Sequence, residues 1–258
     1  MRVVSANLNG IRAAARKGFF DWMKKDKPDV VCIQETKAQE HQLDDEVFSP
    51  RGYFRYFFDA EKKGYSGTAI YARHEPDQVS TGLGWAHADT EGRWIEAQFG
   101  KLTVASLYLP SGSSSDERQQ NKLIFMDELR EDMQAMRRKR REFIICGDWN
   151  TVHKEIDIRN FKSNQKNSGC TPVEREWIDN IFEKDGWVDA FRVANQEADQ
   201  YTWWSNRGQS WANNVGWRID YQIITPGLRD SVKSASIYKD ERFSDHAPLI
   251  IDYDYKLK

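Results

Sequence analysis

The chain has 258 residues, 39% hydrophobic and 30% charged, with a formal net charge of -2. That composition excludes a disordered chain and a globally basic protein, so any nucleic-acid partner must be met by a local basic patch. The three cysteines, Cys32, Cys146 and Cys170, show no zinc-type spacing; Cys32 and Cys146 lie in apolar runs and read as small core residues, which suits a reducing compartment.

"MRVVSANLNG" turns polar too soon for a secretory signal, and no apolar run is long enough to span a bilayer. A cytoplasmic monomer with one catalytic domain over 1–258 is therefore expected. "RVVSAN" reads as a buried strand with a polar tip, Asn7. "GFFDWMKKD" follows as an amphipathic helix that buries Phe19, Phe20 and Met23. "DVVCIQE" is an apolar strand ending in Gln34 and Glu35. "GTAIYAR", "RWIEAQFG" and "KLTVASLYLP" have strand composition, and the last carries Tyr108.

The clearest helix lies in "SSSDERQQNKLIFMDELREDMQAMRRKRR". Ser115 and the acidic pair Asp116–Glu117 suit its start, and Met126, Leu129, Met133 and Met136 repeat at helical spacing. Its basic end, Arg137 to Arg141, is what the helix dipole favours, with no DNA patch required. "EFIICGDWN" is a buried strand ending in Asp148 and Asn150. "TPVEREWIDNIFEKDG" has Thr171 as N-cap, Pro172 at the first helical position and Glu174 three residues past the cap. "WRIDYQIIT" is a strand carrying Asp220, and Asp245–His246 precede a last strand in "HAPLIIDYDY". The Trp-rich stretch from Tyr201 to Tyr221 reads as a loop.

Strand after strand thus delivers a polar group near its end: Asn7, Glu35, Tyr108, Asp148 with Asn150, Asp220, and Asp245 with His246. Sites in α/β sheets gather at strand ends and in the loops beyond them. Carboxylates with amides suit a hard cation such as Mg²⁺, with Mn²⁺ as a substitute. A phenol and an imidazolium both donate to phosphate oxygens. The set fits metal-assisted hydrolysis of a phosphodiester, in which a carboxylate near Asn150 orients or deprotonates the attacking water.

These residues lie in "SANLNGIRAA", "CIQETKAQ", "GYSGTAIYAR", "LYLPSGSS", "ICGDWN", "NVGWRIDYQIIT" and "FSDHAPL". With them the chain resembles, essentially end to end, the exonuclease III and apurinic/apyrimidinic endonuclease family of DNA repair. The resemblance implies a four-layered α/β sandwich, two mixed β-sheets packed face to face with helices on the outside. It implies metal-dependent incision 5′ of abasic sites, removal of 3′ blocking groups or 3′→5′ exonuclease action, with damaged double-stranded DNA as partner. Asn7, Glu35, Asp148, Asn150, Asp245 and His246 make the implied metal-facing set, with Glu35 its principal carboxylate. The implied catalytic set is Tyr108, Asp148, Asn150, Asp220 and His246, with Asp220 supporting the imidazole.

Substrate contacts are implied for Lys37, for a pocket of Trp203, Trp217 and Ile219 that accepts a base-less sugar, and for Arg207 as a wedge in the duplex. Gln165, Lys166 and Asn167, with Arg93, are expected on a basic rim that meets the phosphate backbone. Trp204 reads as core. A phosphatase or phospholipase of the same superfamily, or a non-catalytic DNA-binding module, remains the alternative, and the balance of endonuclease and exonuclease action stays open.

Overall fold

The computed structural model describes residues 1–257. Its strands are β1 (Arg2–Asn7), β2 (Val30–Gln34), β3 (Phe54–Phe58), β4 (Thr68–Ala72), β5 (Gln78–Thr81), β6 (Trp94–Phe99), β7 (Leu102–Tyr108), β8 (Glu142–Asp148), β9 (Val188–Asp189), β10 (Trp203–Trp204), β11 (Gly216–Trp217), β12 (Asp220–Ile224), β13 (Val232–Ile237) and β14 (Leu249–Tyr253). Two six-stranded sheets form, in the orders β13-β14-β1-β2-β4-β3 and β5-β6-β7-β8-β12-β9. Both are mixed. β1 runs parallel to β2 and β7 parallel to β8, and the other pairings in both sheets are antiparallel.

Side chains alternate across a strand, so a strand covered on both faces must be apolar throughout. Val3, Val30, Cys32, Ile144 and Cys146 face the layer between the sheets. Their neighbours Val4, Val31 and Ile33 pack instead against Phe19, Phe20, Trp22 and Met23 of the helix Phe19–Asp26. On the other sheet Ile145 packs against Phe125, Met126, Leu129 and Met133 of the helix Asp116–Arg137. Three apolar layers therefore separate four layers of backbone, as expected. Cys32 and Cys146 are fully buried, and burial with the neighbouring Cys32 thiol pushes the Cys146 thiol well up.

Local chemistry agrees with the sequence at both helix starts. Ser115 accepts from Arg118 N–H, and Thr171 with Glu174 forms a reciprocal capping box ahead of Pro172–Asp179. The helix then widens into a π-turn over Asn180–Lys184, which the sequence reading did not foresee. At the basic end of the long helix, Arg137 donates to the Asp185 carbonyl and Arg141 to Gln98 and the Gly100 carbonyl. The Trp-rich stretch departs from a plain loop: β10 and β11 pair as a two-stranded ribbon, with Trp203 opposite Trp217.

The parallel pairs decide where the polar strand tips go. Asn7 lies opposite Gln34 where β1 and β2 end, and Tyr108 lies opposite Asp148 where β7 and β8 end. β12 is antiparallel to β8 and starts with Asp220 opposite Asp148. β14 is antiparallel to β1, so Asp245 and His246, just before it, come to the same edge.

Candidate active site

Asn7 links the two sheets. Its Nδ2 donates to Glu35 Oε1 at 2.8 Å and to Asp148 Oδ2 at 2.9 Å. Asp148 is 1% exposed, and its Oδ1 accepts the Asn150 backbone N–H at 2.9 Å. The Asn150 side-chain amide is itself held by the Leu109 carbonyl at 2.8 Å. His246 Nδ1 sits 2.9 Å from Asp220 Oδ2, and its Nε2 lies 3.8 Å from Asp148 Oδ2. Glu35 and Asn150 turn off their strands with left-handed backbone, φ +52° and +48°. For Glu that conformation carries strain, which is characteristic of functional turns.

These groups open onto a cavity of about 800 Å³. Glu35, Tyr108, Asp148, Asn150, Asp245 and His246 line it. Trp203, Trp217, Ile219 and Arg207 line it too, with Lys166 and Asn167, and Trp203 touches Asp245. The rings of Trp203 and Trp217 meet edge to face, with centroids 5.9 Å apart. Trp204 is 1% exposed and packs on Trp211, as core.

Electrostatics divide the labour among the polar groups. Burial pushes the Asp148 carboxyl up to about 7; His246 pulls the other way, and Asp220 and Glu35 add to the push. Burial opposes charge on His246, yet Asp220 and Asp148 raise its pKa to about 10. Burial, reinforced by Glu35, holds the Tyr108 phenol well above its ordinary value, against the pull of Arg93. The neutral-pH site thus offers an imidazolium and a phenol as donors and a carboxyl poised near neutrality.

The carboxylates of this set, though not the protonated His246, have lone pairs to offer a divalent cation. One ligand atom each from Glu35, Asp148 and His246 lies within 4.8 Å of the others. Crowded carboxylate oxygens are the donors that a hard cation takes. Glu35 Oε2 is already met by a cation, the Lys37 ammonium at 2.7 Å. Asp245 stands a step away: its carboxylate accepts from Asn9 Nδ2 at 2.9 Å, from the Ser244 hydroxyl and from the Trp203 indole N–H at 3.2 Å.

Two expected substrate contacts fall elsewhere. Arg93 is not on the rim. It is 2% exposed, donates to Glu91, to the Tyr108 carbonyl and to the Tyr65 hydroxyl, and lies over the Tyr108 ring at 4.7 Å. A guanidinium with an ion-pair partner and a ring beneath it is stable inside, so it supports Tyr108 from behind. Gln165 is not among the residues lining the cavity, although Lys166 and Asn167 beside it are. Asn9 was missed. Its carbonyl accepts from Lys37 Nζ at 2.5 Å while its amide reaches Asp245, joining the β2 end to the β14 approach. The Asn9-Gly10 pair was a turn signal, but nothing in it announces that bridge.

Comparison with known proteins agrees with this layout. The model of the Endonuclease/Exonuclease/phosphatase family matches residues 4–246. An exodeoxyribonuclease of Bacillus subtilis is 38% identical over 251 residues, covering 96% of this chain and 98% of that protein. A DNA-(apurinic or apyrimidinic site) endonuclease of Dictyostelium discoideum is 34% identical over 98% of this chain and 71% of its own length. The solved structure of an AP endonuclease from Archaeoglobus fulgidus superposes with a TM-score of 0.90 at 29% identity, covering 99% of this chain and all of that one.

Proposed function

We propose that this chain, which belongs to the Endonuclease/Exonuclease/phosphatase family, is a DNA repair nuclease that hydrolyses phosphodiesters at abasic sites and at damaged or recessed 3′ ends with the help of Mg²⁺. The observation that carries this reading is the one cavity shared by the Asp148–His246–Glu35 cluster and by Trp203, Trp217 and Ile219. A charged, oxygen-rich wall suits a phosphate; an apolar wall beside it suits a sugar that has lost its base and costs little to unstack.

In this reading Asp148 takes the proton from the attacking water. Asn7 and the Asn150 backbone hold its two oxygens in place, and a base with pKa near the working pH is effective in that role. His246, kept protonated by Asp220, donates through Nε2 to a phosphate oxygen as negative charge builds there. Tyr108 stays a neutral phenol and donates on the leaving-group side. Glu35, Asn7 and Asp245 would hold the metal; bound there, it would neutralise phosphate charge and steady the leaving oxygen. Lys166, Asn167 and Arg207 would hold the duplex without reading its sequence.

The test is a duplex with one central abasic analogue, beside an undamaged duplex with a recessed 3′ end. Metal-dependent incision at the abasic site, lost with chelator, is the expected result. Absence of cleavage of either duplex at any Mg²⁺ concentration would overturn the reading. Asp220→Asn should lower kcat about 10–100-fold. It should also move the alkaline limb of the pH profile downward, because a raised imidazole pKa is lost with the carboxylate that raises it. An unchanged profile would separate the pair from activity.

A further inference from the structure

Behind the cavity lies an ion pair that the proposed chemistry does not use. Lys122, on the helix Asp116–Arg137, and Glu174, on Pro172–Asp179, both have fully buried side chains, with Nζ 2.5 Å from Oε1. The ammonium also donates to the Asn150 carbonyl at 2.7 Å. The Glu174 carboxylate accepts Gly169 N–H at 2.8 and 2.9 Å, Thr171 N–H at 3.1 Å and the Thr171 hydroxyl at 2.6 Å. Gly169 is at φ +88°, and a Cβ there would come within 2.7 Å of the Asn150 carbonyl oxygen. Val152 N–H in turn donates to the Gly169 carbonyl at 2.7 Å.

Two segments that line the cavity therefore meet on one buried pair. The first runs from Asp148 to Asn150, whose left-handed backbone points its N–H at Asp148 Oδ1 and its C=O at Lys122. The second is the loop from Lys166 to Gly169, which presents Lys166, Asn167 and Ser168. A buried pair recovers its desolvation cost poorly compared with apolar packing, so stability alone does not account for it. Fixed orientation does. The two peptide planes that meet at the Asn150 Cα are each pinned, one by its N–H on Asp148 and the other by its C=O on Lys122, so neither Asn150 torsion turns without breaking a bond, and a carboxylate with donors on both oxygens has no freedom left.

We propose that Lys122 and Glu174 are positioning residues: by holding the Asn150 carbonyl they fix the Asn150 backbone torsions, and through its N–H the aim of Asp148, and they seat the Lys166–Ser168 loop at the cavity mouth. The proposal rests on the nuclease reading only for its kinetic arm. The variants are Glu174→Gln, which keeps volume and one acceptor oxygen, and Lys122→Met/Glu174→Gln, which leaves no unpaired charge inside. Hydrogen exchange at the Asn150 and Gly169 amides is measured together with kcat and KM on the abasic duplex, normalised to folded enzyme. The expected result is faster exchange at both amides and kcat lower by about 10–100-fold, since misplacement of a catalytic group by about 1 Å costs that much. KM should rise as well, because the Lys166–Ser168 loop that would hold the duplex is no longer seated. Unchanged exchange in either folded variant, or wild-type kcat with altered exchange, would overturn the proposal. Wild-type protein that cleaves neither duplex would instead refute the nuclease reading, and the exchange arm would still decide the positioning.

Discussion

Asp148→Asn is expected to lower kcat on the abasic duplex by about 10²–10⁴-fold, the range for removal of a well-placed general base. The substitution is nearly isosteric. An amide oxygen can still accept from Asn150 N–H, so the β8 tip keeps its shape. What goes is the proton acceptor, together with one of three crowded negative charges. Asp148 ionises against burial, Asp220 and Glu35, and its neutral replacement relieves that repulsion. The same variant should change stability little by calorimetry, because the relieved repulsion is offset by the new NH₂ facing Asn7 Nδ2 where a carboxylate oxygen accepted from it. Kinetics and calorimetry together separate this from a folding defect. A kcat within tenfold of the parent would mean that Asp148 is not the general base. The companion variant Tyr108→Phe tests the phenol separately, because a phenol held well above its ordinary pKa serves as donor and not as base.

The sequence announced this site through residues that end strands, and the fold explains why that signal worked. Asn7, Asp148 and Asp220 sit at the tips of β1, β8 and β12, and the two parallel pairs put those tips at one edge. A strand with two covered faces is apolar to its last residue, so a polar group at its tip stands out. The same logic explains what was not legible. β5 and β13 are edge strands with half-exposed patterns, and they leave no continuous apolar run to find. Arg93 was misplaced because charge suggested exposure, whereas Glu91, Tyr65 and the Tyr108 ring supply a buried socket from three separate segments. Asn9 and Lys37 owe their positions to left-handed backbone at φ +46° and +48°, which residue type alone does not specify. Nothing in the sequence marks Lys122; the fold sets Glu174 against it from a helix 52 residues away in sequence.

Arg218→Met is expected to destabilise the protein by about 3–5 kcal/mol, the cost of leaving buried charges without their partner. For a chain of this size that corresponds to a fall in Tm of roughly 6–20 °C. Arg218 is 0% exposed and lies between Trp217 and Ile219, which line the cavity, and just before Asp220. Its Nε donates to Asp157 Oδ1 at 2.7 Å and its Nη2 to Asp189 Oδ2 at 2.8 Å, while Cζ lies 4.5 Å from the Tyr221 ring centre. Arg192 adds a second bond to Asp157 Oδ1 at 2.6 Å. Burial alone would raise the Asp157 carboxyl, but Arg218 and Arg192 hold it far below the usual carboxylate range. A folded-state pKa below the unfolded one stabilises above about pH 4, and that contribution is lost as pH falls further. The parent should therefore lose stability steeply on the acid side, and the variant, with Arg192 alone on Asp157, should show a shallower loss from a lower plateau. Asp157→Asn/Arg218→Met should recover part of the plateau, because it removes one of the carboxylates that the single variant strands. Equal Tm values for parent and Arg218→Met at neutral pH would mean that Arg192 suffices. The Trp217–Asp220 segment would then be held by its remaining bonds, among them Arg218 N–H to the Asp157 carbonyl, Trp149 N–H to the Ile219 carbonyl, and Ile219 and Asp220 N–H to the Thr202 hydroxyl.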